Sequence, residues 1–399
     1  MQLAQHGTGN GLLPRSGGEY TKGSESQMER PLKKFAVVGM GILGKRHSNA
    51  QIQNPKAELV AVCDLYEAQM QEFVAAHPSV KMYTDARKMF QECDVDVAII
   101  ATQDPYHKDP LLAAIDAGIR YIICEKPLCT TLEDAREVKA AADAAGSKII
   151  VAFSLRMQRC DRALRQLIKA GMLGRPLHGD VECDDCIYVP KKLWGKKSAD
   201  WAKTSSPVYF LFSHAIDYLT FYLAPAKIQK VYAVGKQEGI GSYCDYCEAI
   251  CTFTDGTVVR IKGDWTRKIP TLTENVITLT FEDAGVIYTR QPALGRPLMR
   301  LDFEDGEKME RAFAFLEQEG YFVRKIVDLK AYCKFAIEMY PDENLESYAA
   351  SSVYMLDYLN DDGFLGLPEC ICDLDGGLYQ VEVVDAINRS METDAPVYL

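Results

Sequence analysis

The stretch FAVVGMGILG, residues 35–44, decides the fold. Four apolar residues run into glycines at 39, 41 and 44, the spacing G-x-G-x-x-G. Such a run predicts a buried parallel strand, and the glycines predict the turn that leads from it into a helix. Gly39 permits the tight turn, Gly41 lets the backbone approach a pyrophosphate, and Gly44 lets the helix lie close on the strand. The phosphates would rest on unpaired N–H groups at the positive end of the helix dipole. Gly39, Gly41, Ile42, Leu43 and Gly44 are therefore the expected dinucleotide contacts.

Outward from this turn, Glu58–Cys63 (ELVAVC) predicts a second strand that ends in Asp64, where a dinucleotide fold places the carboxylate that accepts a ribose 2′-hydroxyl. The same carboxylate would repel a 2′-phosphate. Leu65 and Tyr66 follow it and no arginine is adjacent, so NAD is favoured over NADP unless an arginine from elsewhere offsets the repulsion. Apolar runs at 35–38, 58–63, 95–101, 121–124 and 148–153 alternate with helical stretches, the pattern of a doubly wound parallel sheet with helices on both faces. One helix is bracketed by a capping box at Thr130–Glu133 and a stop at Gly146.

A helix predicted over 156–173 ends at Gly174 and Pro176, a natural seam. Beyond it the period changes. Segments 178–189, 228–235, 246–254, 257–265, 274–281 and 285–289 alternate or carry β-branched and aromatic residues, and few helical repeats interrupt them. Helices are expected at about 319–339 and 343–360 and near 380–392. The chain is thus read as α/β: a leader or remnant over 1–32, a Rossmann doubly wound sheet over 33–155, and an α+β domain over 156–399 with a large, mostly antiparallel open sheet. The open sheet is a ready surface for assembly, so a homo-oligomer is expected.

At 399 residues, 48% hydrophobic and 25% charged, the chain has the composition of an ordinary globular protein with room for two full cores. A formal charge of −11 argues against a nucleic-acid footprint or an anionic membrane surface as partner. No apolar run reaches the length of a transmembrane helix, and residues 1–30 have no signal-like apolar core, which points to the cytoplasm. Thirteen cysteines, an odd number, fit reduced thiols better than a disulfide framework. The pairs Cys183/Cys186 and Cys244/Cys247 lie too far apart for a zinc ribbon, so no metal is expected and buried thiols are the default.

The fifth strand ends in Cys124-Glu125-Lys126-Pro127, where an open α/β sheet places its ligand crevice. A partly buried lysine there can hydrogen-bond a substrate hydroxyl and, with its pKa lowered, assist proton transfer. Together, GMGILGKRH at 39–47, Asp64, Thr102 with His107, and AIDAGIRYIICEKPLCTTLEDA at 114–135 resemble the Gfo/Idh/MocA family of glucose-fructose oxidoreductase and inositol dehydrogenase. LRMQR at 155–159, KAGMLGRPLHG at 169–179, SHAIDYL at 213–219, FTDGTVV at 253–259 and the closing VVDAINRSMETDAPVYL extend the likeness over nearly all of 33–399.

The resemblance implies hydride transfer at a sugar or cyclitol carbon, with Lys126 as the catalytic lysine, His214 as acid/base and Asp217 three residues on. It implies further that Glu125 and Thr102 border the cofactor, and that His107 either does so too or makes a contact at a helix N-terminus. Two departures stand out. Gln103 follows Thr102 where the family often has Pro, and Phe210 occupies the place of the aspartate that would hold the tautomer of the histidine. His214 then acts alone, uses an acid such as Asp217, or yields its role to Tyr209 or Lys126.

The apolar stretch VYFLF at 208–212, including Tyr209 and Phe210, suggests a pocket for a substrate with a hydrophobic portion, such as a glycoside with its aglycone. Trp194 and Trp201, in a lysine-rich loop at 189–207, are candidate stacking platforms. Arg156 is either a substrate contact or half of a salt bridge. His47 is expected to cap or pack rather than react. The leading reading is an NAD-dependent oxidoreductase acting on a secondary hydroxyl, leaning towards C3 of a glycoside. Its rivals are a redox-assisted glycosidase that oxidises, eliminates and re-reduces with NAD recycled, and a dinucleotide sensor without catalysis.

Overall fold

The glycine turn folds as read: Lys33–Val38 is strand β1 and Ile42–Gln53 is helix α1. The computed structural model describes residues 33–193, 197–241, 243–293, 295–340, 355 and 368–399. Strands β2 (Ala57–Cys63), β3 (Lys81–Tyr83), β4 (Val97–Ile100), β5 (Tyr121–Cys124) and β6 (Lys148–Val151) pair in parallel with β1 in the order β6-β5-β4-β1-β2-β3. Helices α2 (Gln71–Ala76), α3 (Ala86–Glu92), α4 (Lys108–Asp116) and α5 (Leu132–Ala145) alternate with these strands. The strand order reverses between β1 and β4, which opens a crevice beyond their carboxyl ends. The N-cap of α5 is one residue later than the capping box suggests: Thr131 accepts from the Asp134 N–H, and Gly146, at φ +70°, ends the helix.

The helix expected over 156–173 is broken. A 3₁₀ turn at Ser154–Met157 is followed by an extended Gln158, and α6 runs Arg159–Lys169. Among the described residues the second sheet has ten strands, built around the long β7 (Pro176–Cys186). Its other members are β8 (Ile228–Lys236), β9 (Tyr246–Phe253), β10 (Val258–Arg267), β11 (Thr273–Phe281), β12 (Ala284–Thr289), β13 (Met299–Phe303), β14 (Arg324–Val327), β15 (Phe335–Met339) and, beyond β16 (Cys372–Asp373) of the first sheet, β17 (Val397–Tyr398). It is mostly antiparallel, with β7 and β10 running parallel at its centre.

Several helices depart from expectation. Four segments between β7 and β8 are helical: α7 (Tyr188–Lys192) and α8 (Lys197–Ala202) lie mostly within the stretch 189–207 expected to be a loop, α7 starting inside the strand expected to reach 189, and α9 (Pro207–Phe210) and α10 (Phe212–Leu223) follow where the sequence shows only an apolar run. Helix α10 is apolar almost all round and buried against α6, β7 and β10, so it carries no amphipathic stripe to read. The helix expected at 319–339 is instead the hairpin β14–β15. The real helix, α11 (Gly306–Gln318), starts earlier because Asp305 caps it, and it stops ahead of Gly320 at φ +80°. Beyond that glycine the apolar runs are too short for periodicity to separate strand from helix.

The last helix, α12 (Leu374–Thr393), begins six residues ahead of the expected 380, capped by Asp373, and runs through Gly376 and Gly377. Those glycines serve packing rather than a turn, since a Cβ at Gly377 would sit 2.5 Å from Val151 Cγ2 on β6. Just before α12, β16 (Cys372–Asp373) adds antiparallel to the outer edge of β6, so the first sheet is completed by the far end of the chain. The leader 1–32, Trp194 and, apart from Met355, the helix expected over 343–360 lie outside the described residues. Among the described residues no helix is long and apolar enough to cross a membrane.

Candidate active site

At the switch point, backbone meets backbone. Gly39 sits at φ +90°, its N–H donating to the Cys63 carbonyl at 2.7 Å, and a Cβ there would lie 2.5 Å from the Ala101 carbonyl oxygen. A Cβ at Gly44 would come 1.7 Å from the Gly39 oxygen, so these two glycines are demanded by the protein's own packing. Gly41 differs: nothing lies within 4 Å of where its Cβ would be. It is the N-cap of α1, and neither a side-chain cap nor an acidic residue in the first turn satisfies the free N–H groups. An open, uncapped helix N-terminus fits a pyrophosphate, with Ile42 and Leu43 as the first helical residues beside it.

Asp64 closes the floor of this crevice. Its Oδ2 accepts the Met40 N–H at 2.8 Å and its Oδ1 the Tyr66 N–H at 2.9 Å, which ties the glycine turn to the end of β2 and leaves the carboxylate partly exposed. Thr102 turns its hydroxyl to the Tyr106 carbonyl, 2.9 Å away. His107 is buried at the start of α4. Its Nδ1 lies 2.7 Å from the Pro127 carbonyl and its Nε2 3.1 Å from that of Thr102, so it braces the turn that carries Lys126. Glu125 is likewise buried, with His47 Nε2 2.8 Å from its Oε1; the pair joins α1 to the end of β5, and His47 packs as expected.

Lys126, half-buried at the end of β5, reaches across to the other half of the molecule. Its Nζ donates to the Phe210 carbonyl at 3.2 Å and stands 4.1 Å from the centroid of the Phe210 ring. Burial pulls its pKa down, opposed by the charges of Asp104, Glu125 and Asp185. His214, on α10, is held well below the usual imidazole range by burial and by the positive charges of Lys126 and Arg290. Its Nδ1 is buried and has no hydrogen-bond partner among the described residues.

Asp217 does not supply that carboxylate. Three residues beyond His214, it is clasped by Arg156, whose Nε lies 3.0 and 2.9 Å from its two oxygens and whose Nη2 lies 2.6 Å from Oδ1. Burial pushes the Asp217 pKa up to about 6 against the pull of Arg156. Of the two roles open to Arg156, the structure realises the salt bridge.

Two of the expected substrate contacts face elsewhere. Trp201 is 4% exposed, its rings packed on Phe210 at 4.9 Å and Trp265 at 5.1 Å, and its indole N–H donates to Asp104. A tryptophan so enclosed backs the wall behind Phe210 and offers no free face for stacking. Tyr209 is buried too, accepting from Asn388 Nδ2 on α12 at 3.1 Å and packing on Tyr243, so its hydroxyl belongs to the core. Within the apolar stretch at 208–212, Phe210 stands beside Lys126.

Sequence reading passed over Asp185. It sits at the end of β7, wholly buried, with neither carboxylate oxygen hydrogen-bonded among the described residues, and burial lifts its pKa to about 7 while Lys126 pulls it down. The signal lay in strand alternation, since Val181, Cys183 and Asp185 share one face; the flanking cysteines drew the eye to zinc instead. Cys183 is a buried thiol 3.2 Å from the Tyr218 hydroxyl, all thirteen cysteines are unpaired, and among the described residues no cluster could hold a metal ion.

Comparison with known proteins agrees with this architecture. Residues 33–153 match the oxidoreductase family with an NAD-binding Rossmann fold, and residues 162–286 match the GFO/IDH/MocA C-terminal domain. The chain is 27% identical over 210 residues to 1,5-anhydro-D-fructose reductase of Ensifer adhaerens, covering 53% of this chain and 62% of that protein. It is 29% identical over 203 residues to inositol 2-dehydrogenase of Salmonella typhimurium, covering 50% and 57%. The matched region thus spans about three fifths of the length of these relatives. Among solved structures, the WlbA dehydrogenase of Bordetella pertussis, in complex with NADH and UDP-GlcNAcA, has the same fold at TM-score 0.72 and 21% identity, covering 92% of this chain and 98% of that one. The myo-inositol 2-dehydrogenase of Lactobacillus plantarum matches at TM-score 0.70 and 17% identity, covering 93% and 100%. With both matched domains in sequence order and a lysine-bearing crevice between them, the chain belongs to the GFO/IDH/MocA oxidoreductase family.

Proposed function

We propose that the protein is an NAD-dependent dehydrogenase that oxidises a secondary hydroxyl of a sugar, glycoside or cyclitol. The observation that carries this reading is the half-buried Lys126, with lowered pKa, between an uncapped glycine-turn helix and His214. The relatives named above are sugar and cyclitol enzymes, which supports the substrate class. Bound NAD supplies the hydride acceptor. Lys126 hydrogen-bonds the substrate oxygen and takes the hydroxyl proton as the carbonyl forms; the reverse transfer serves reduction. His214, neutral and without an orienting carboxylate, accepts a hydrogen bond from the substrate rather than carrying the proton away.

Asp64 favours NAD over NADP, because its carboxylate stands where a 2′-phosphate would be repelled. The aromatic wall of Phe210, backed by Trp201 and Trp265, favours a substrate with an apolar portion and hence oxidation at C3 of a glycoside. On this reading a keto group at C3 would also permit elimination of the aglycone, so release of aglycone without net NADH is the outcome that would recast the enzyme as a redox-assisted glycosidase. Assembly through the open face of the second sheet and residence in the cytoplasm, where unpaired thiols persist, complete the proposal.

Replacement of Lys126 by Ala tests it. Turnover of the active substrate class should fall by about 10²–10⁴-fold while NADH binding, followed by fluorescence, is retained. Undiminished turnover would remove Lys126 from the reaction.

A further inference from the structure

A carboxylate sealed inside a protein is costly unless donors meet its oxygens. Asp104 is 6% exposed, and the donors to both of its oxygens come from the other half of the chain. It is the first residue of the 3₁₀ turn Asp104–Tyr106 that follows β4, two residues beyond Thr102. Its Oδ1 accepts from the indole Nε1 of Trp201 on α8, and its Oδ2 accepts at 2.6 Å from Ser205 Oγ, in the turn between α8 and α9. Both partners are buried, and they lie 97 and 101 residues away in sequence. Hydrogen bonds to a carboxylate in such surroundings are among the stronger ones a fold can make.

A short, stiff path leads from these two bonds to the lysine. Residues 206–210 form a single helical turn, with the Phe210 N–H donating to the Ser206 carbonyl at 2.9 Å and that of Leu211 to Pro207 at 2.8 Å, so Phe210 is carried with Ser205. The Trp201 ring meets the Phe210 ring edge-on at 4.9 Å, and both pack on Trp265. Phe210 in turn holds Lys126, its carbonyl accepting from Nζ at 3.2 Å and its ring centroid 4.1 Å from the same nitrogen.

We propose that Asp104 is a positioning residue: it moors α8 and α9 to the end of β4 and so fixes where Phe210 stands against Lys126. The effect on turnover rests on the reading of this crevice as a dehydrogenase site; the mooring itself is read from hydrogen bonds. Asp104 carries a second influence, since its charge favours the Lys126 ammonium, and substitution separates the two. Asn has nearly the shape of Asp. Its oxygen can accept from the Trp201 indole, which only donates, while its Nδ2 donates to Ser205 Oγ, which can turn to accept. Asn therefore keeps the mooring without the charge, and Ala keeps neither.

The test reads amide hydrogen exchange by mass spectrometry in the NADH-bound enzyme, for the wild type, Asp104→Asn and Asp104→Ala. In Asp104→Ala the amides of 198–211 should exchange at least about tenfold faster with β9–β11 unchanged, and Asp104→Asn should stay within about threefold of the wild type. Of free sugars, inositols and aryl glycosides, the class that turns over should show kcat/KM lowered by about 10–100-fold in Asp104→Ala, chiefly through KM and with NADH affinity retained. Asp104→Asn should recover most of that loss. If Asp104→Ala does not accumulate, Ser205→Ala, which leaves the carboxylate bonded to Trp201, should show faster exchange confined to 203–211. Exchange that is unchanged at 198–211, or that rises evenly through the chain, overturns the mooring, as do equal losses in Asn and Ala, the mark of charge alone. The expected exchange pattern in a protein that turns over none of the three classes would keep the mooring and overturn the dehydrogenase reading instead.

Discussion

The two walls of the crevice are built by different means. The cofactor wall is made of backbone: Gly39, Gly41 and Gly44 within one turn, tied to Asp64 through the Met40 N–H. The opposite wall, the substrate's on the proposed function, is made of side chains brought from the end of β5, from α9 and from α10: Lys126 lies against Phe210, and its charge helps to lower the pKa of His214. Backbone geometry tolerates almost no change where it is packed, whereas a wall of side chains can exchange its carboxylate from one element to another.

The contrast breaks most readily at the glycines. Gly44→Ala forces a Cβ into the Gly39 carbonyl and should cost at least about 4 kcal/mol, a loss visible as failure to accumulate folded protein. Gly41→Ala meets no atom within 4 Å, so its melting temperature should match the wild type while NAD affinity falls by about tenfold or more. Equal losses of stability in the two variants would contradict a cradle in which one glycine faces ligand and the other faces protein.

Next in size is the Arg156–Asp217 pair. Arg156→Ala leaves Asp217 buried and unpaired, and chemical denaturation should register about 3–5 kcal/mol of lost stability. A loss of substrate affinity without loss of stability would return Arg156 to the list of substrate contacts.

The Asp185 carboxyl predicts a pH signature. Its folded pKa lies above the unfolded value of about 3.9, so between roughly pH 4 and 7 the native state binds the extra proton and stability drains as pH rises. Asp185→Asn cannot lose that proton. Its melting temperature relative to the wild type should therefore climb from pH 5 to pH 8, measured by calorimetry, whereas a purely structural hydrogen-bonding role predicts an offset independent of pH.

The smallest effect belongs to Trp201. Trp201→Phe removes the donor to Asp104 at a cost of about 1–3 kcal/mol and should leave the KM for substrate unchanged. A marked rise in KM would mean that the indole meets substrate after all.

The same contrast explains how far the sequence could be read. The glycine turn, Asp64, the strand-end Lys126 and the α5 cap are local patterns, each a few residues long with a physical reason at every position, and all are found where the chain pattern places them, the cap within one residue. The substrate wall was legible only in part. His214 and Phe210 could be named, but the inward turn of Trp201 and Tyr209 follows from packing against Trp265 and α12, partners distant in sequence. Helix α10 hid because it is apolar on nearly every face, and Asp185 hid inside a cysteine pair that had a more familiar meaning. Short apolar runs after Gly320 could not distinguish the β14–β15 hairpin from a helix.

The central claim is that this crevice oxidises a secondary hydroxyl with NAD. The most direct test mixes the purified protein with NAD and, in turn, free sugars, inositols and aryl glycosides, following NADH absorbance and analysing products in the same samples. A rise in NADH with one class, matched by an equal yield of keto product, is the predicted result. No NADH and no product from any class, with NAD shown to bind, would contradict it.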